Sequence, residues 1–251
     1  MAESPPASRP PQEEQSPELS LVIPVRDEEG NVEPVVTEAL AVLAGQVHLE
    51  VIVVDDGSRD RTVDRLRELA ASSRGVRFEV HPRPLGKTAA IWTGVRAARA
   101  SWIATMDGDG QNDPADIARM RLIAAREPPC DRGLLVAGER IARHDGWSKR
   151  RASIVANRVR ELLLADGVGD SACGLKLFRR DDFLALPRFE GMHRFLPALV
   201  LDRGGRVITT PVADRPRRSG ASKYGILDRL AAGIRDLARV VWLRRRRYRS
   251  P

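Results

Sequence analysis

The chain has 251 residues, long enough for one large or two small domains with a substantial core. Aromatic residues make up 4%, which argues against base stacking on nucleic acid as the main activity, and a net charge of +8, carried mostly by arginine, favours an anionic partner. Two distant cysteines, Cys130 and Cys173, with no CxxC or Cys/His cluster, and four scattered histidines leave a zinc site without ligands.

Taken in chain order, residues 1–17 are rich in Pro, Ser and Glu, lack the apolar stretch of a signal peptide, and read as a disordered tail. Leu19–Val25 is a short apolar run with β-branched residues, predicted as a buried strand. A helix opens at Asn31–Pro34 and continues to about Leu43. Val47–Val54 is the second strand, and Ser58 is expected to cap a helix over Asp60–Ala71. Val76–His81 is a third strand. Gly86-Lys87-Thr88 leads into a helix through Ala100. Trp102–Met106 is a fourth strand, and Pro114 stands at a favourable first helical position. The second half is less regular: strands are predicted at Leu134–Glu139, Cys173–Phe178 and Arg206–Pro211, and a helix at Ser148–Leu164. Ile226–Arg247 reads as an amphipathic helix followed by the basic cluster Arg244–Arg249. No apolar run is long enough to span a bilayer, so a membrane role is expected to be peripheral or shared with a partner.

Alternating strands and helices with near-continuous apolar strands predict an α/β fold with a mostly parallel, doubly wound sheet and helices on both faces. Ligands of such sheets bind beyond the carboxyl ends of the strands. Three polar motifs stand at those ends: Val25-Arg26-Asp27-Glu28, Asp55-Asp56-Gly57 and Asp107-Gly108-Asp109. Two carboxylates in a tight glycine turn suit a hard divalent cation such as Mg²⁺ or Mn²⁺, with Gln111 as a further oxygen. Taken alone, that motif is better explained by a polar turn whose Asp residues cap the next helix. Asp55 and Asp56 can likewise accept from a base N–H or a ribose hydroxyl, or serve only a turn. Gly86-Lys87-Thr88 is no phosphate-binding P-loop: His81 stands where the first glycine belongs, and Pro82 and Pro84 remove N–H donors. Lys87 is left as a surface or ligand-facing cation. The basic, glycine-containing loop Arg215–Gly225 can clamp phosphates or be a solvated charge run.

Together the ordered segments LSLVIPVRDEEGNV, VIVVDDGSRDRT, LGKTAAIWTGVRAARASWIATMDGDGQNDP, CGLKLFRRD, GMHRFLPAL and PRRSGASKYG resemble family 2 glycosyltransferases of the dolichyl-phosphate mannosyltransferase and undecaprenyl-phosphate sugar transferase type. The resemblance covers Leu19 to Gly225. It implies a GT-A fold at residues 18–225, a Mg²⁺ or Mn²⁺ ion, and inverting transfer from a nucleotide-diphosphate sugar to a polyprenyl phosphate at the cytoplasmic face of the membrane. It also implies a membrane surface, with room for a membrane-embedded partner, and no nucleic acid. By position, Pro24, Arg26 and Glu28 match the first nucleotide-contact segment, where the family usually has Tyr-Asn-Glu. Val54 and Asp56 match the base-binding pair. Asp107, Gly108, Asp109 and Gln111 match the metal and diphosphate motif, Arg140 a basic residue after a strand, and Arg217 and Lys223 the phosphate clamp. Asp107, Asp109 and Gln111 are thus the implied metal ligands, and Asp109, Arg217 and Lys223 the implied catalytic groups. Asp214 stands where bacterial relatives often carry His. An ionised acceptor phosphate needs no strong base. A hydroxyl acceptor would need one, with Asp170 the carboxylate to watch. A catalytically silent basic protein that binds membrane or nucleic acid is the non-enzyme alternative.

Overall fold

The computed structural model describes residues 16–140, 164, 166–218 and 236–242. Its first half alternates as the hydrophobic pattern requires: β1 (Leu19–Val25), α1 (Val32–Leu43), β2 (Leu49–Asp55), α2 (Thr62–Ser72), β3 (Val76–Val80), α3 (Lys87–Ala97), β4 (Trp102–Thr105) and α4 (Pro114–Arg126). The second half contributes β5 (Leu134–Arg140), β6 (Lys176–Arg179), the short helix α5 (Arg180–Leu184), a 3₁₀ turn (Met192–Arg194), α6 (Leu196–Asp202) and β7 (Arg206–Val212).

The strands form one seven-stranded sheet in the order β3-β2-β1-β4-β6-β5-β7. All pairings are parallel except those of β6, which runs antiparallel to both β4 and β5. Strict side-chain alternation sorts each central strand between two cores. Leu19, Leu21 and Ile23 of β1 with Val51 and Val53 of β2 pack under α1, α2 and α4. Val22, Ile52 and Val54 pack with Ala90, Ile91 and Val95 of α3 and with Phe183 and Leu196 on the other face. With both faces covered, the strands are apolar nearly throughout, which is why they read as continuous runs, and the buried Ser20 of β1 donates to Glu50 of β2. Each such buried aliphatic side chain contributes about 1.5–3 kcal/mol. Phe178 and Phe183 stack at 4.9 Å, and Trp92 lies 5.3 Å from Phe183, tying β6 and α5 to α3.

Several predicted boundaries shift. The second strand starts at Leu49 rather than Val47, the third helix ends at Ala97 rather than Ala100, and the strand predicted from Cys173 begins at Lys176. Ser58 does not cap α2: its hydroxyl turns back to Asp55 and accepts from the Asp27 N–H at 2.7 Å. Asp60 takes the helix end instead, accepting from Thr62 N–H at 3.0 Å. The Pro/Ser/Glu-rich tail, nearly all of the helix predicted over Ser148–Leu164, and most of Ile226–Arg247 lie outside the described residues; 236–242 is helical.

Candidate active site

The sheet reverses its winding between β1 and β4, since β2 and β3 lie on one side of β1 and β4 on the other. A crevice opens beyond the carboxyl ends of the strands at such a point. The register levels the strand ends: Val25 pairs with Asp55, and Val22 with Thr105. Arg26–Glu28, Asp55–Asp56 and Asp107–Asp109 therefore share one sheet edge, as expected. Arg140 at the end of β5 and Arg215–Arg217 after β7 join them there, because both strands run parallel to β1.

The turn after β4 crosses close to β1. A Cβ on Gly108 would lie 2.5 Å from a Val25 methyl, and one on Gly174 would meet the Asp107 carboxylate at 2.3 Å. Side chains are impossible at both places without moving backbone or the ligand group. Asp107 Oδ1 lies 2.5 Å from Lys87 Nζ, and the Asp107 N–H donates to Asn112 at 3.0 Å. Burial would raise the Asp107 pKa, but Lys87, with Lys176 and Arg140, overrides it and holds the carboxyl below its ordinary range. Asp109 accepts from Arg217 Nη2 at 2.8 Å and from the Gln111 N–H at 3.1 Å. Arg217 also reaches Glu28 at 3.9 Å and so bridges the ends of β1 and β4.

Among the described residues no three His, Cys, Asp or Glu side chains gather into a cation site. The donor set nevertheless suits Mg²⁺ or Mn²⁺, which take one or two carboxylates and fill the remaining positions with substrate phosphate and water. Asp107 and Asp109 are the two carboxylates on this turn that would serve. Gln111 lies on the same turn, its side-chain N–H donating to the Arg215 carbonyl at 3.4 Å.

On the β2 side, Asp56 is buried and its carboxylate accepts from Leu85 N–H and Gly86 N–H, both at 2.8 Å, and pairs with His81 at 2.9 Å. Three of about four acceptor positions are thus used in pinning the 81–86 segment. Val54 is wholly buried in the core, between β1 and β3, with no exposed surface. Pro24 is partly exposed, and Arg26 is more than one-third exposed and 3.7 Å from Asp27.

On the β5 side, Arg140 grips Asp170 through two N–H groups at 2.6 and 3.1 Å, with Asp214 at 3.8 Å. Burial works against the guanidinium charge, but Asp170 outweighs it and raises the Arg140 pKa. Both Asp170 carboxylate oxygens are thereby engaged with Arg140. Lys223 lies outside the described residues.

Three contributors were not assigned from the sequence. Lys87 reaches Asp107. Lys176, buried at the start of β6, donates to the Ser171 carbonyl at 3.2 Å and also to that of Cys173, and burial pushes its pKa down to about 8. Glu38, midway along α1, holds Arg215 and Arg218 at 2.5 Å each and so braces the loop that carries Arg217. The signal for Lys176 was legible as a cation inside an apolar run. None marks Glu38, whose partners are 177 and 180 residues away.

The match to known proteins agrees with this geometry. Residues 20–186 match the model of glycosyl transferase family 2. The dodecaprenyl-phosphate galacturonate synthase of Rhizobium johnstonii is 37% identical over 94% of this chain and 70% of its own length. The undecaprenyl-phosphate 4-deoxy-4-formamido-L-arabinose transferase of Edwardsiella ictaluri is 32% identical over 83% of this chain, which spans only 63% of that relative. In fold, the chain superposes with a TM-score of 0.66 at 22% identity on glucosyl-3-phosphoglycerate synthase from Mycobacterium tuberculosis in complex with Mn²⁺, uridine diphosphate and glucosyl-3-phosphoglycerate, covering 91% of this chain and 80% of that one. The same enzyme with Mg²⁺ and uridine diphosphate gives a TM-score of 0.67 at 20% identity, covering 91% and 79%. The α/β architecture is thus the GT-A fold, and the choice between an enzyme and a silent basic binder falls to the enzyme. The chain belongs to glycosyl transferase family 2: it is a nucleotide-sugar-dependent glycosyltransferase whose relatives act on polyprenyl phosphates.

Proposed function

We propose that this chain moves a sugar, with inversion, from a nucleotide-diphosphate sugar to a polyprenyl phosphate at the cytoplasmic surface of the membrane. The observation that carries the reading is the meeting of Asp107, Asp109, Arg217 and Arg140 at one sheet edge beside the β1–β4 crevice.

In this reading Pro24, Arg26 and Glu28 line the nucleotide on one side, with the Val54 backbone and the last acceptor position of Asp56 facing the base. Asp107 and Asp109, with Gln111, would hold Mg²⁺ or Mn²⁺, and Gly108 leaves the backbone open to the diphosphate. A divalent ion there supplies charge neutralisation as the nucleoside diphosphate departs. Arg217 places a cation where negative charge grows on the leaving oxygens, the kind of pre-positioned stabilisation that dominates transfer catalysis, and Lys223 is assigned the same role from the family resemblance alone. Arg140, fixed by Asp170, presents a guanidinium to the acceptor side. The acceptor phosphate oxygen is already ionised near neutral pH and attacks the sugar carbon without a base. The Arg140–Asp170 pair favours this acceptor over a hydroxyl, which would need a carboxylate free to take a proton.

The deciding experiment incubates the protein with a panel of nucleotide sugars, Mn²⁺ or Mg²⁺ and a short polyprenyl phosphate, and identifies the product by mass. A glycosyl phosphate lipid from one donor is the expected product. Transfer only to a saccharide or glycolipid hydroxyl would overturn the acceptor, and no transfer from any donor would overturn the activity.

A further inference from the structure

Each carboxylate of the Asp107-Gly108-Asp109 turn already carries a cation of this same chain. Lys87 Nζ lies 2.5 Å from Asp107, and Arg217 Nη2 lies 2.8 Å from Asp109. Lys87 reaches in as the first residue of α3, from a different part of the chain. The side chains of Lys87 and Asp107 are 33% and 31% exposed, so water reaches their ion pair. A flexible lysine stem in contact with water can leave the carboxylate by rotating about its own bonds, without backbone movement.

Charge balance says when it leaves. Lys87 and Arg217 already balance the Asp107 and Asp109 carboxylates, so a divalent ion entering alone would have to compete with both cations. The diphosphate of a nucleotide sugar carries opposite charge in matching amount, so ion and donor enter together as a neutral pair.

We propose that Lys87 is an exchangeable counter-ion: it holds Asp107 while the donor is absent and passes to the donor diphosphate when metal and donor bind, coupling the two binding events. The proposal rests on the reading of this crevice as the nucleotide-sugar site, and of the two roles left open for Lys87, surface or ligand-facing cation, it takes the second.

The test measures Mn²⁺ binding to the full chain by paramagnetic resonance of the free ion, alone and with UDP or GDP, and nucleotide binding by calorimetry. In the wild type, one of the nucleotides should tighten Mn²⁺ binding by about tenfold or more, equivalent to ~1.4 kcal/mol of coupling. Lys87→Met should bind Mn²⁺ alone more tightly than wild type and the nucleotide about tenfold more weakly. Lys87→Arg should restore the wild-type pattern. Two results would overturn the exchange while leaving the donor site standing. One is wild-type Mn²⁺ and nucleotide binding that is independent and additive. The other is a folded Lys87→Met protein whose Mn²⁺ and nucleotide affinities are unchanged. A wild type that binds neither nucleotide with either metal would remove the donor site itself, and the exchange with it.

Discussion

Asp109 ties the turn after β4 to the loop after β7. It accepts from Arg217 and from the Gln111 N–H, and its own carbonyl accepts from the Arg218 N–H at 3.3 Å. Asp109→Ala removes one of two carboxylates from the turn and leaves the Arg217 guanidinium without its main partner. Transfer should fall by about 10²–10³-fold, the usual loss when one electrostatic contact to a transition state goes. Metal-dependent nucleotide binding should vanish while the circular dichroism spectrum stays that of the wild type. Undiminished turnover would take Asp109 out of the site. A second residue-scale effect concerns His193. Its Nδ1 lies 2.7 Å from the Thr88 hydroxyl, and desolvation, aided by Lys87, Arg194 and Lys176, pushes its pKa well below the ordinary value of 6.5. Below that pH the unfolded chain takes up a proton that the folded chain refuses, so this group makes stability fall as pH falls. The slope it adds is at most about 1.4 kcal/mol per pH unit. Urea midpoints between pH 5 and 7 should therefore drop more steeply for the wild type than for His193→Gln, and parallel curves would refute the assignment.

At the scale of elements, α3 is set by its contact with the sheet. A Cβ on Gly94 would lie 2.4 Å from a Val22 methyl and 3.1 Å from a Val54 methyl, both on side chains with no exposure. The helix thus seats backbone directly on β1 and β2, and that depth aims Lys87 at Asp107 and Thr88 at His193. Gly94→Ala gains helix propensity of about 1 kcal/mol but overpacks a full core at about 1–3 kcal/mol. A net loss of about 1 kcal/mol in stability is expected by denaturant melting. Nucleotide affinity should fall with it, because α3 must lift from the sheet. A more stable protein with unchanged affinity would show that the seat has slack. Opposite α3, the loop after β7 is held from three sides: Glu38 of α1 binds Arg215 and Arg218, Asp116 of α4 accepts the Ala213 N–H at 2.8 Å, and Asp109 binds Arg217.

Over the whole molecule, positive charge dominates, and among the described residues no helix is long and apolar enough to cross a membrane. The last eight residues add five arginines, Arg244–Arg247 and Arg249. Next to an anionic surface each cation contributes about 1 kcal/mol at low salt. Deleting Arg244–Pro251 should therefore weaken co-sedimentation with anionic vesicles by more than tenfold at low ionic strength, and the difference should shrink as salt rises. Equal sedimentation of both forms would leave these arginines as solubilising charge. Whether that surface also presents the acceptor is tested by the same vesicles loaded with polyprenyl phosphate.

The sequence by itself determined the α/β class, the first-half element order and the acidic strand ends, because strand burial on two faces and turn chemistry are written in neighbouring residues. LSLVIPV and VIVVDD are legible as strands without knowing their partners, and the DGDGQ turn is legible as a place for charge. Tertiary structure alone decided the antiparallel insertion of β6, which delivers Lys176 beneath Asp107, and the reach of Lys87, Glu38 and Arg217 across the crevice. It also paired Asp170 with Arg140 at the end of β5. Those pairings join residues from 20 to 180 positions apart. Charge acts through space, and only the folded chain sets which charges stand a few ångströms from one another.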